Sequence, residues 1–132
     1  MANIIFLTFE QVLTIHDNQI ETYGGSHGIR DLALFESAIM RPQTTFGGKD
    51  LYPSVFEKAA ILMHSLIMNH SFVDGNKRTG TVSVLVFLEI NGFRVSVSQK
   101  ELISISLEIA SRKMNAKNVS IWLKKTQRKS NF

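Results

Sequence analysis

SVFEKAAILMHSLIMNHSFVDGNKRT, residues 54–79, decides how this chain folds. It opens with an S-x-x-E capping box at Ser54 and Glu57, a pattern that starts helices. The segment from Phe56 to Met68 is apolar on nearly every face, which predicts a central helix surrounded by the rest of the protein. The polar stretch that follows, residues 70–79, interrupts this pattern and carries the candidate chemistry.

The stretch 70–79 predicts a phosphate site. An apolar segment, residues 81–90, follows it at once. If that segment is a helix, residues 75–78 lie at its N-terminus, where free backbone N–H groups and the positive end of the dipole favour an anion. Lys77 and Arg78 are unfavourable at this end of a helix unless an anion lies between them. The plainer alternative is a solvated turn in which Asp74 caps the helix.

Each residue of this stretch has a possible chemical role. The His70 imidazole titrates near neutrality, so it can take a proton from a hydroxyl. Asp74 can bind Mg²⁺ that bridges two phosphates, because a hard cation prefers oxygen ligands. Gly75 permits close approach of the backbone to an anion, and Asn76 can donate its amide to a phosphate oxygen. Phe72 is expected to fill the core and pin the loop.

Start and stop signals predict helices along most of the remaining chain. The first predicted helix begins at the Thr8–Gln11 capping box and stops at Gly24-Gly25, and the second is capped by Asp31 and covers Leu32–Met40. A further helix begins at the Ser98–Glu101 box and extends to about Arg112. The last one carries Trp122 and is capped by Asn118 or Ser120. Residues 81–87 are rich in β-branched side chains and alone could form a buried strand, but the Asn91-Gly92 stop and the length of the segment 79–90 favour a helix. A small hairpin is expected around Gly47-Gly48, with possible short strands at residues 4–7 and 93–97.

Composition places the chain among single-domain globular proteins. It has 132 residues, 44% of them hydrophobic, and no cysteine, so a disulfide framework and a thiolate metal site are excluded. No apolar run approaches the roughly 20 residues that span a bilayer, and the N-terminus does not resemble a signal peptide. A soluble cytoplasmic protein without membrane contact is expected.

The net charge of +4 is unevenly distributed. Residues 1–110 carry 8 Lys and Arg against 11 Asp and Glu, whereas residues 111–132 carry 7 Lys and Arg and no acid. The plain interpretation is a solvated last helix with a frayed basic tail, residues 124–132. An acidic protein or a nucleic acid is the alternative partner, but a nucleic-acid groove usually spreads its cations across the fold, so direct nucleic-acid binding is not expected.

The motif His70-x-Phe72-x-Asp74-Gly75-Asn76-Lys77-Arg78 resembles that of the Fic/Doc family, His-x-Phe-x-(Asp/Glu)-(Gly/Ala)-Asn-(Gly/Lys)-Arg. The resemblance extends over about residues 8–123, and its further landmarks are those of the Doc, or death-on-curing, toxin branch. These landmarks are Tyr23-Gly24-Gly25, Gly28-Ile29-Arg30-Asp31, Arg41-Pro42-Gln43, Phe46-Gly47-Gly48, Tyr52-Pro53 and residues 56–60.

The resemblance implies an all-α Fic fold: one domain over residues 1–132, a compact bundle of about six helices with a small β-hairpin flap at residues 44–51. It implies that His70 is the general base for a hydroxyl of a target protein. It further implies that Asp74 holds Mg²⁺ and that residues 75–78 (Gly75, Asn76, Lys77 and Arg78) hold the phosphates of ATP. Such a site works by positioning and by stabilising transferring charge.

Two departures from the common Fic pattern bear on the reaction. Family members that transfer AMP usually have Gly where Lys77 stands and a second Arg where Thr81 stands. A lysine would occupy room that the β- and γ-phosphates otherwise use, which favours presentation of the γ-phosphate. This is the pattern of the Doc branch, whose members phosphorylate a threonine of elongation factor Tu and arrest translation. The resemblance therefore implies a kinase, with AMP transfer on a protein hydroxyl as the alternative.

The resemblance also concerns regulation. Self-restrained relatives carry an inhibitory helix with the pattern (Ser/Thr)-x-x-x-Glu-(Gly/Asn), and none of the seven glutamates here is followed by Gly or Asn. A separate antitoxin of the Phd type, folding into an exposed apolar groove, is the expected source of restraint. Two other readings stay open: a non-catalytic antitoxin-bound co-repressor, and an RNA- or ribosome-binding growth inhibitor that rests on the basic tail alone.

Overall fold

The structure is a computed structural model that describes residues 3–129, with the backbone alone at Lys129. Within that range it is built from six α-helices and two small antiparallel sheets, which confirms the all-α prediction. The helices are α1 (Phe9–Tyr23), α2 (Leu32–Met40), α3 (Val55–Met68), α4 (Asn76–Ile90), α5 (Gln99–Ala110) and α6 (Ala116–Thr126), with a 3₁₀ turn at Arg41–Gln43. The strands are β1 (Thr45–Phe46), β2 (Lys49–Asp50), β3 (Phe93–Val95) and β4 (Gln127–Lys129).

The helix starts follow from local capping. The side chains of Thr8, Asp31, Ser54 and Ser98 each accept a hydrogen bond from the backbone N–H three residues later, at 3.0–3.2 Å. Each bond satisfies one of the donors that the first turn of a helix leaves without an intrahelical partner. The four starts predicted from these residues are therefore confirmed.

Helix α3 is the centre of the molecule. It packs against α2, α4, α5 and α6, and nine of its residues are buried. This surrounds the helix on nearly every side and explains why its sequence has no polar face. The core around it is built from aliphatic and aromatic side chains of every helix; the bulkiest fully buried ones are Phe35, Phe72, Phe87, Met63, Leu66 and Ile67.

Helices α3 and α4 approach closely at Gly80. A Cβ atom at Gly80 would lie 2.8 Å from Ile67 Cγ1 and 3.3 Å from the Met63 carbonyl oxygen. The absence of a side chain at this buried position lets the backbone of α4 rest directly on α3. The two ends of the motif loop, which leaves α3 and enters α4, are held at a fixed separation as a result.

The predicted hairpin forms between β1 and β2, with Thr45 opposite Asp50 and Phe46 opposite Lys49. Its base is tied to α3 by Lys58, which is only 2% exposed. The Lys58 ammonium donates to the Asp50 carboxylate at 3.0 Å and to the Tyr52 carbonyl oxygen. A buried ammonium needs such partners, because an unpaired charge in the interior is costly. The hairpin is thus anchored to the central helix by one side chain.

The C-terminal part differs from the predictions in two ways. Helix α6 is capped by Asn115, not by Asn118 or Ser120, because Asn115 and Asn118 bond to each other's backbone N–H groups at 2.8 and 3.3 Å. Residues 127–129 form β4, which pairs with β3, so the frayed-tail interpretation is wrong for them. Residues 130–132 of the predicted tail lie outside the described part of the chain.

The N-terminal segment 4–7 is not a strand. The Asn91 side chain accepts a hydrogen bond from the Ile5 N–H at 2.9 Å and donates one to the Ile5 carbonyl oxygen at 2.9 Å. The polar backbone groups of Ile5 therefore bond to one side chain and not to a second strand. Over residues 3–129, no helix combines the length and apolar character needed to cross a membrane.

Candidate active site

The motif loop, residues 69–75, connects α3 to α4, and its backbone is held by the segment that precedes α2. Arg30 donates from Nε to the His70 carbonyl oxygen at 2.6 Å and from Nη2 to the Asn69 carbonyl oxygen at 3.1 Å. The backbone N–H groups of Arg30 and Asp31 both donate to the Ser71 carbonyl oxygen. His70 therefore keeps an exposed side chain on a loop that is fixed through its carbonyl groups.

His70 adopts a left-handed backbone conformation, with φ of +49°. This conformation is uncommon outside glycine, although Asn, Asp and His tolerate it better than other residues. It occurs where α3 has ended and the chain turns toward α4. The strained turn directs the His70 side chain away from the core, as expected for a general base that meets a substrate.

Phe72 anchors the same loop in the core, as predicted. It is 1% exposed, stacks on the His16 ring with 3.8 Å between ring centroids, and meets Phe35 at 4.7 Å. Asn76 holds its backbone on both sides, accepting from the Phe72 N–H and donating to the Phe72 carbonyl oxygen, each at 3.0 Å. One amide N–H of Asn76 is thus used for loop structure, and the second remains for the predicted phosphate contact.

Asp74 is exposed, and its carboxylate is oriented by two backbone N–H groups. Oδ1 accepts from the Gly75 N–H at 2.8 Å, and Oδ2 accepts from the Ser26 N–H at 3.3 Å. The alternative of Asp74 as a helix cap is wrong, because Gly75 occupies the cap position in a left-handed conformation and no side chain caps α4. Each carboxylate oxygen keeps lone-pair capacity for a metal.

The donor set suits Mg²⁺ bound together with a nucleotide. Among residues 3–129, no group of three or more His, Asp or Glu side chains is placed to hold a metal. Mg²⁺ is commonly bound by one or two carboxylates, several waters and the phosphates of a substrate. A single exposed carboxylate beside a helix N-terminus fits that arrangement, with Asp74 as the protein ligand.

The start of α4 carries the residues of the predicted phosphate clamp. The first-turn N–H groups of Asn76, Lys77 and Arg78 have no intrahelical acceptor, which is the property that makes a helix N-terminus bind anions. The Lys77 side chain is exposed. Arg78 is half-buried and donates to the carbonyl oxygens of Gln19 and Gly24, at 3.3 and 3.0 Å. Arg78 therefore also ties α4 to the end of α1.

A groove of about 420 Å³ lies beside Lys77 and Arg78, between α4 and α5. Most of its wall is apolar, and the exposed side chains Tyr23, Ile103 and Leu107 line it. Neither His70 nor Asp74 lies on its wall. The groove therefore adjoins the start of α4 but does not include the two exposed side chains of the motif loop, His70 and Asp74.

Three contacts to the loop, from His16, Arg30 and Ser26, could not be assigned from sequence. His16, for example, lies outside the motif, and it is fully buried. One signal was available: Val12, His16 and Ile20 recur every four residues and form the buried face of α1. A histidine on such a face needs a hydrogen-bond partner, which the sequence cannot name.

Gly25 and Gly24 form a matched pair for a test of the carboxylate position. Both have positive φ, but a Cβ at Gly25 would lie 2.6 Å from Asp74 Oδ2, whereas a Cβ at Gly24 meets nothing within 4 Å. Either alanine substitution costs about 1–3 kcal/mol of backbone strain. Gly25→Ala should cost about 1 kcal/mol more, because it displaces the carboxylate from the Ser26 N–H. Urea unfolding of the two variants measures the difference, and equal losses would contradict it.

His27 makes the loop after α1 sensitive to pH. Its ring nitrogens lie 3.1 Å from Asp17 Oδ1 and 2.8 Å from Glu21 Oε1, and the hydrogen bonds to Asp17 and Glu21 raise the pKa of His27 above 6.5. The protonated form is favoured in the folded state, so its contribution is complete below pH 6.5 and is lost as pH rises through the raised pKa. The stability difference between wild type and His27→Gln should be larger at pH 5.5 than at pH 8.5 in thermal melts.

His64 provides a control, because its protonation is expected to change the stability of the fold in the direction opposite to that of His27. Burial, and secondarily the charge of Arg41, lower the pKa of His64. Its protonation below pH 6.5 therefore opposes folding, and His64→Gln should gain stability relative to wild type as the solution is acidified. A His27→Gln profile parallel to the His64→Gln profile would contradict the assignment.

Comparison with known proteins identifies the family of this chain. The model of the Fic/DOC family matches residues 6–88, more than half of the chain. The protein named Toxin Doc of Mycolicibacterium smegmatis is 43% identical over 91 residues, which are 69% of this chain and 68% of that protein. The protein named Protein kinase doc of Escherichia phage P1 is 31% identical over 116 residues, covering 88% of this chain and 90% of the relative. The chain, with its histidine-bearing loop between two packed helices, belongs to the Fic/DOC family.

Proposed function

We propose that this protein is the toxin of a type II toxin–antitoxin system and acts in the cytoplasm. In this proposal it transfers a phosphoryl group from ATP, with Mg²⁺, to a hydroxyl of a target protein, elongation factor Tu. Family membership and the names of the two relatives, a toxin and a protein kinase, support it. The observation that carries it is the loop itself: His70 and Asp74 both have exposed side chains, and their backbone carbonyl groups are held by Arg30 and His16.

The reaction divides among the loop residues as follows. His70 accepts the proton of the target hydroxyl while the hydroxyl oxygen attacks the γ-phosphorus. The bond between the γ-phosphorus and the oxygen that bridges it to the β-phosphorus breaks, and ADP leaves. Asp74 would hold Mg²⁺, and the bound ion would neutralise phosphate charge. The N–H groups at the start of α4, the free amide N–H of Asn76 and the ammonium of Lys77 face the phosphates and stabilise the charge that develops on them.

Transfer of the γ-phosphate, and not of AMP, is favoured by Lys77. Its side chain is exposed at the first turn of α4, where a glycine would leave open space. The hydroxyl of Thr81, where AMP-transferring relatives have a second arginine, donates to the Lys77 carbonyl oxygen at 2.8 Å and carries no charge. The cation that meets the terminal phosphates therefore comes from position 77.

Isotopic labelling tests the reaction directly. The purified protein is incubated with elongation factor Tu, Mg²⁺ and ATP labelled at either the γ- or the α-phosphorus, with a His70→Asn variant alongside. Label transfer from the γ position that the variant does not make is the expected result. Label transfer from the α-phosphorus would support the same site but would show that the reaction is AMP transfer. Labelling of a different protein in a whole lysate would show that elongation factor Tu is not the target. The absence of label on any protein would contradict the proposed catalysis.

A separate Phd-type antitoxin is the proposed source of restraint. The apolar groove between α4 and α5 adjoins Lys77 and Arg78, so an amphipathic segment that folds into it would also block the phosphate site. The exposed residues Ile103 and Leu107 allow a test that spares the fold. Leu107→Asp should weaken inhibition by the antitoxin at least about tenfold through loss of a buried apolar contact, with the transfer rate unchanged. Unaltered inhibition would exclude the groove.

The nucleic-acid alternative is best tested by charge and not by truncation. Removal of residues 126–132 would delete β4 and the Thr126 carbonyl that accepts from the Ser96 N–H at 2.7 Å. Lys124→Gln with Lys125→Gln removes two exposed cations of α6 and leaves the sheet intact. Growth inhibition should persist in this variant. Its loss would favour an RNA- or ribosome-binding inhibitor, because such binding depends on phosphate contacts.

A further inference from the structure

We infer that His16, a residue of α1 far from the motif in sequence, is a positioning residue for the metal-binding carboxylate of Asp74. The inference rests on the proposed role of Asp74 as the Mg²⁺ ligand. His16 is fully buried, and its Nε2 lies 2.8 Å from the Asp74 carbonyl oxygen. Because a carbonyl oxygen only accepts hydrogen bonds, Nε2 carries the proton and donates it.

The ring of His16 has little freedom to turn away from this carbonyl. One face stacks on Phe72 with an angle of 7° between the ring planes. The ring edge is close to the loop as well, since a Cβ at Gly75 would lie 3.7 Å from His16 Cδ2. The nearest charged group on the other nitrogen is Asp17, whose Oδ1 lies 3.7 Å from Nδ1, beyond hydrogen-bond reach. Packing thus directs Nε2 at one acceptor.

The hydrogen bond from His16 to the Asp74 carbonyl oxygen also affects the Asp74 side chain. The Asp74–Gly75 peptide is a rigid plane in which C=O and N–H point in opposite directions. Its oxygen is held by His16, and its N–H donates to Oδ1 of the Asp74 side chain at 2.8 Å. Rotation of this peptide would remove the donor from the carboxylate. His16 therefore fixes the direction of the Asp74 carboxylate through one peptide bond.

The contact is equivalent to the outer-sphere hydrogen bonds that orient metal ligands in other proteins. Loss of such a bond typically weakens metal binding or activity about 10- to 100-fold. Two substitutions separate the hydrogen bond from the packing of the ring. His16→Phe keeps a ring to stack on Phe72 and loses the donor, whereas His16→Gln loses the ring and keeps an amide N–H that can donate.

The test is the Mg²⁺ concentration needed for half-maximal binding of a fluorescent ATP analogue, after a thermal melt confirms that each variant is folded. We expect His16→Phe to need about 10-fold more Mg²⁺ than wild type or His16→Gln, with similar binding of the analogue in the absence of Mg²⁺. An unchanged Mg²⁺ requirement in His16→Phe would overturn the inference. Equal impairment of both variants would also overturn it, since packing alone would then explain the effect. If His16→Phe does not fold, His16→Met replaces it.

A second measurement separates this inference from the proposed function. In ¹⁵N-labelled protein, the Gly75 amide resonance reports its hydrogen bond to Asp74 without any nucleotide. It should shift in His16→Phe and return toward the wild-type position in His16→Gln. If wild type fails to bind the analogue at any Mg²⁺ concentration, the proposed function is wrong, and the Gly75 resonance alone decides whether His16 holds the peptide. A resonance that is the same in all three proteins would overturn the inference.

Discussion

Replacement of His70 by asparagine should lower the rate of phosphoryl transfer about 100- to 10,000-fold, the range typical for loss of a general base. The free energy of unfolding should change by no more than about 0.5 kcal/mol, as for other exposed positions. The loop does not depend on the imidazole. Arg30 holds the loop backbone through the His70 carbonyl oxygen, and Phe72 packs the loop against the core. Single-turnover transfer rates and urea unfolding measure the two quantities separately.

The choice of asparagine matters for this experiment. His70 has φ of +49°, a conformation that Asn tolerates and that costs most other residues about 1–2 kcal/mol. His70→Ala should therefore lose both rate and stability, whereas His70→Asn should lose rate alone. A His70→Asn protein that transfers phosphate within a few-fold of the wild-type rate would show that another group removes the proton.

Gly80→Ala should destabilise the protein by about 1–2 kcal/mol, although alanine is the better helix former. The substitution gains about 1 kcal/mol in helix propensity. Against this, the new methyl group would meet Ile67 Cγ1 at 2.8 Å and the Met63 carbonyl at 3.3 Å. Overpacking of this kind costs about 1–3 kcal/mol, and more where a backbone atom must move. The contact with the Met63 carbonyl puts the cost at the upper end, so overpacking outweighs propensity.

A double-mutant cycle identifies the cause of that loss. Ile67→Ala removes the atom that the new methyl would strike, so the two substitutions together should cost less than the sum of their separate effects. Urea unfolding of the four proteins gives the coupling free energy. An increase in stability of Gly80→Ala, as at an unhindered helix position, would contradict close packing of α3 against α4.

The helices could be predicted because their signals are local. Thr8, Asp31, Ser54 and Ser98 each bond to a backbone group three residues away, a spacing visible in the sequence. The errors have non-local or competing causes. Strand β4 exists only through pairing with β3, more than thirty residues earlier. The start of α6 was misplaced because Asn115 and Asn118 are both good caps, and only their reciprocal bonding shows which one begins the helix.

In the site, too, features that depend on neighbouring residues could be predicted from the sequence, and features that depend on distant residues could not. The candidate site residues lie within one short motif, so sequence could nominate His70, Asp74 and residues 75–78 together. The groups that hold them lie elsewhere in the chain: Arg30 is 40 residues from His70, and His16 is 58 residues from Asp74. These bonds end on backbone carbonyl groups, which leave no trace in residue type. The sequence therefore nominates candidate reactive groups but does not indicate what keeps them in place.

The attachment of the hairpin through Lys58 has a consequence for protein engineering. One of its two bonds ends on the Tyr52 carbonyl oxygen, a group that every residue possesses, and the other needs only the carboxylate of Asp50. The side chains of Thr45, Phe46 and Lys49 are exposed and take no part in the anchor, whereas Gly47 and Gly48 have the positive φ that the turn requires. Libraries that vary Thr45, Phe46 and Lys49 and keep the two glycines should leave the hairpin seated on the central helix, so its outward surface can be changed without first restabilising the scaffold.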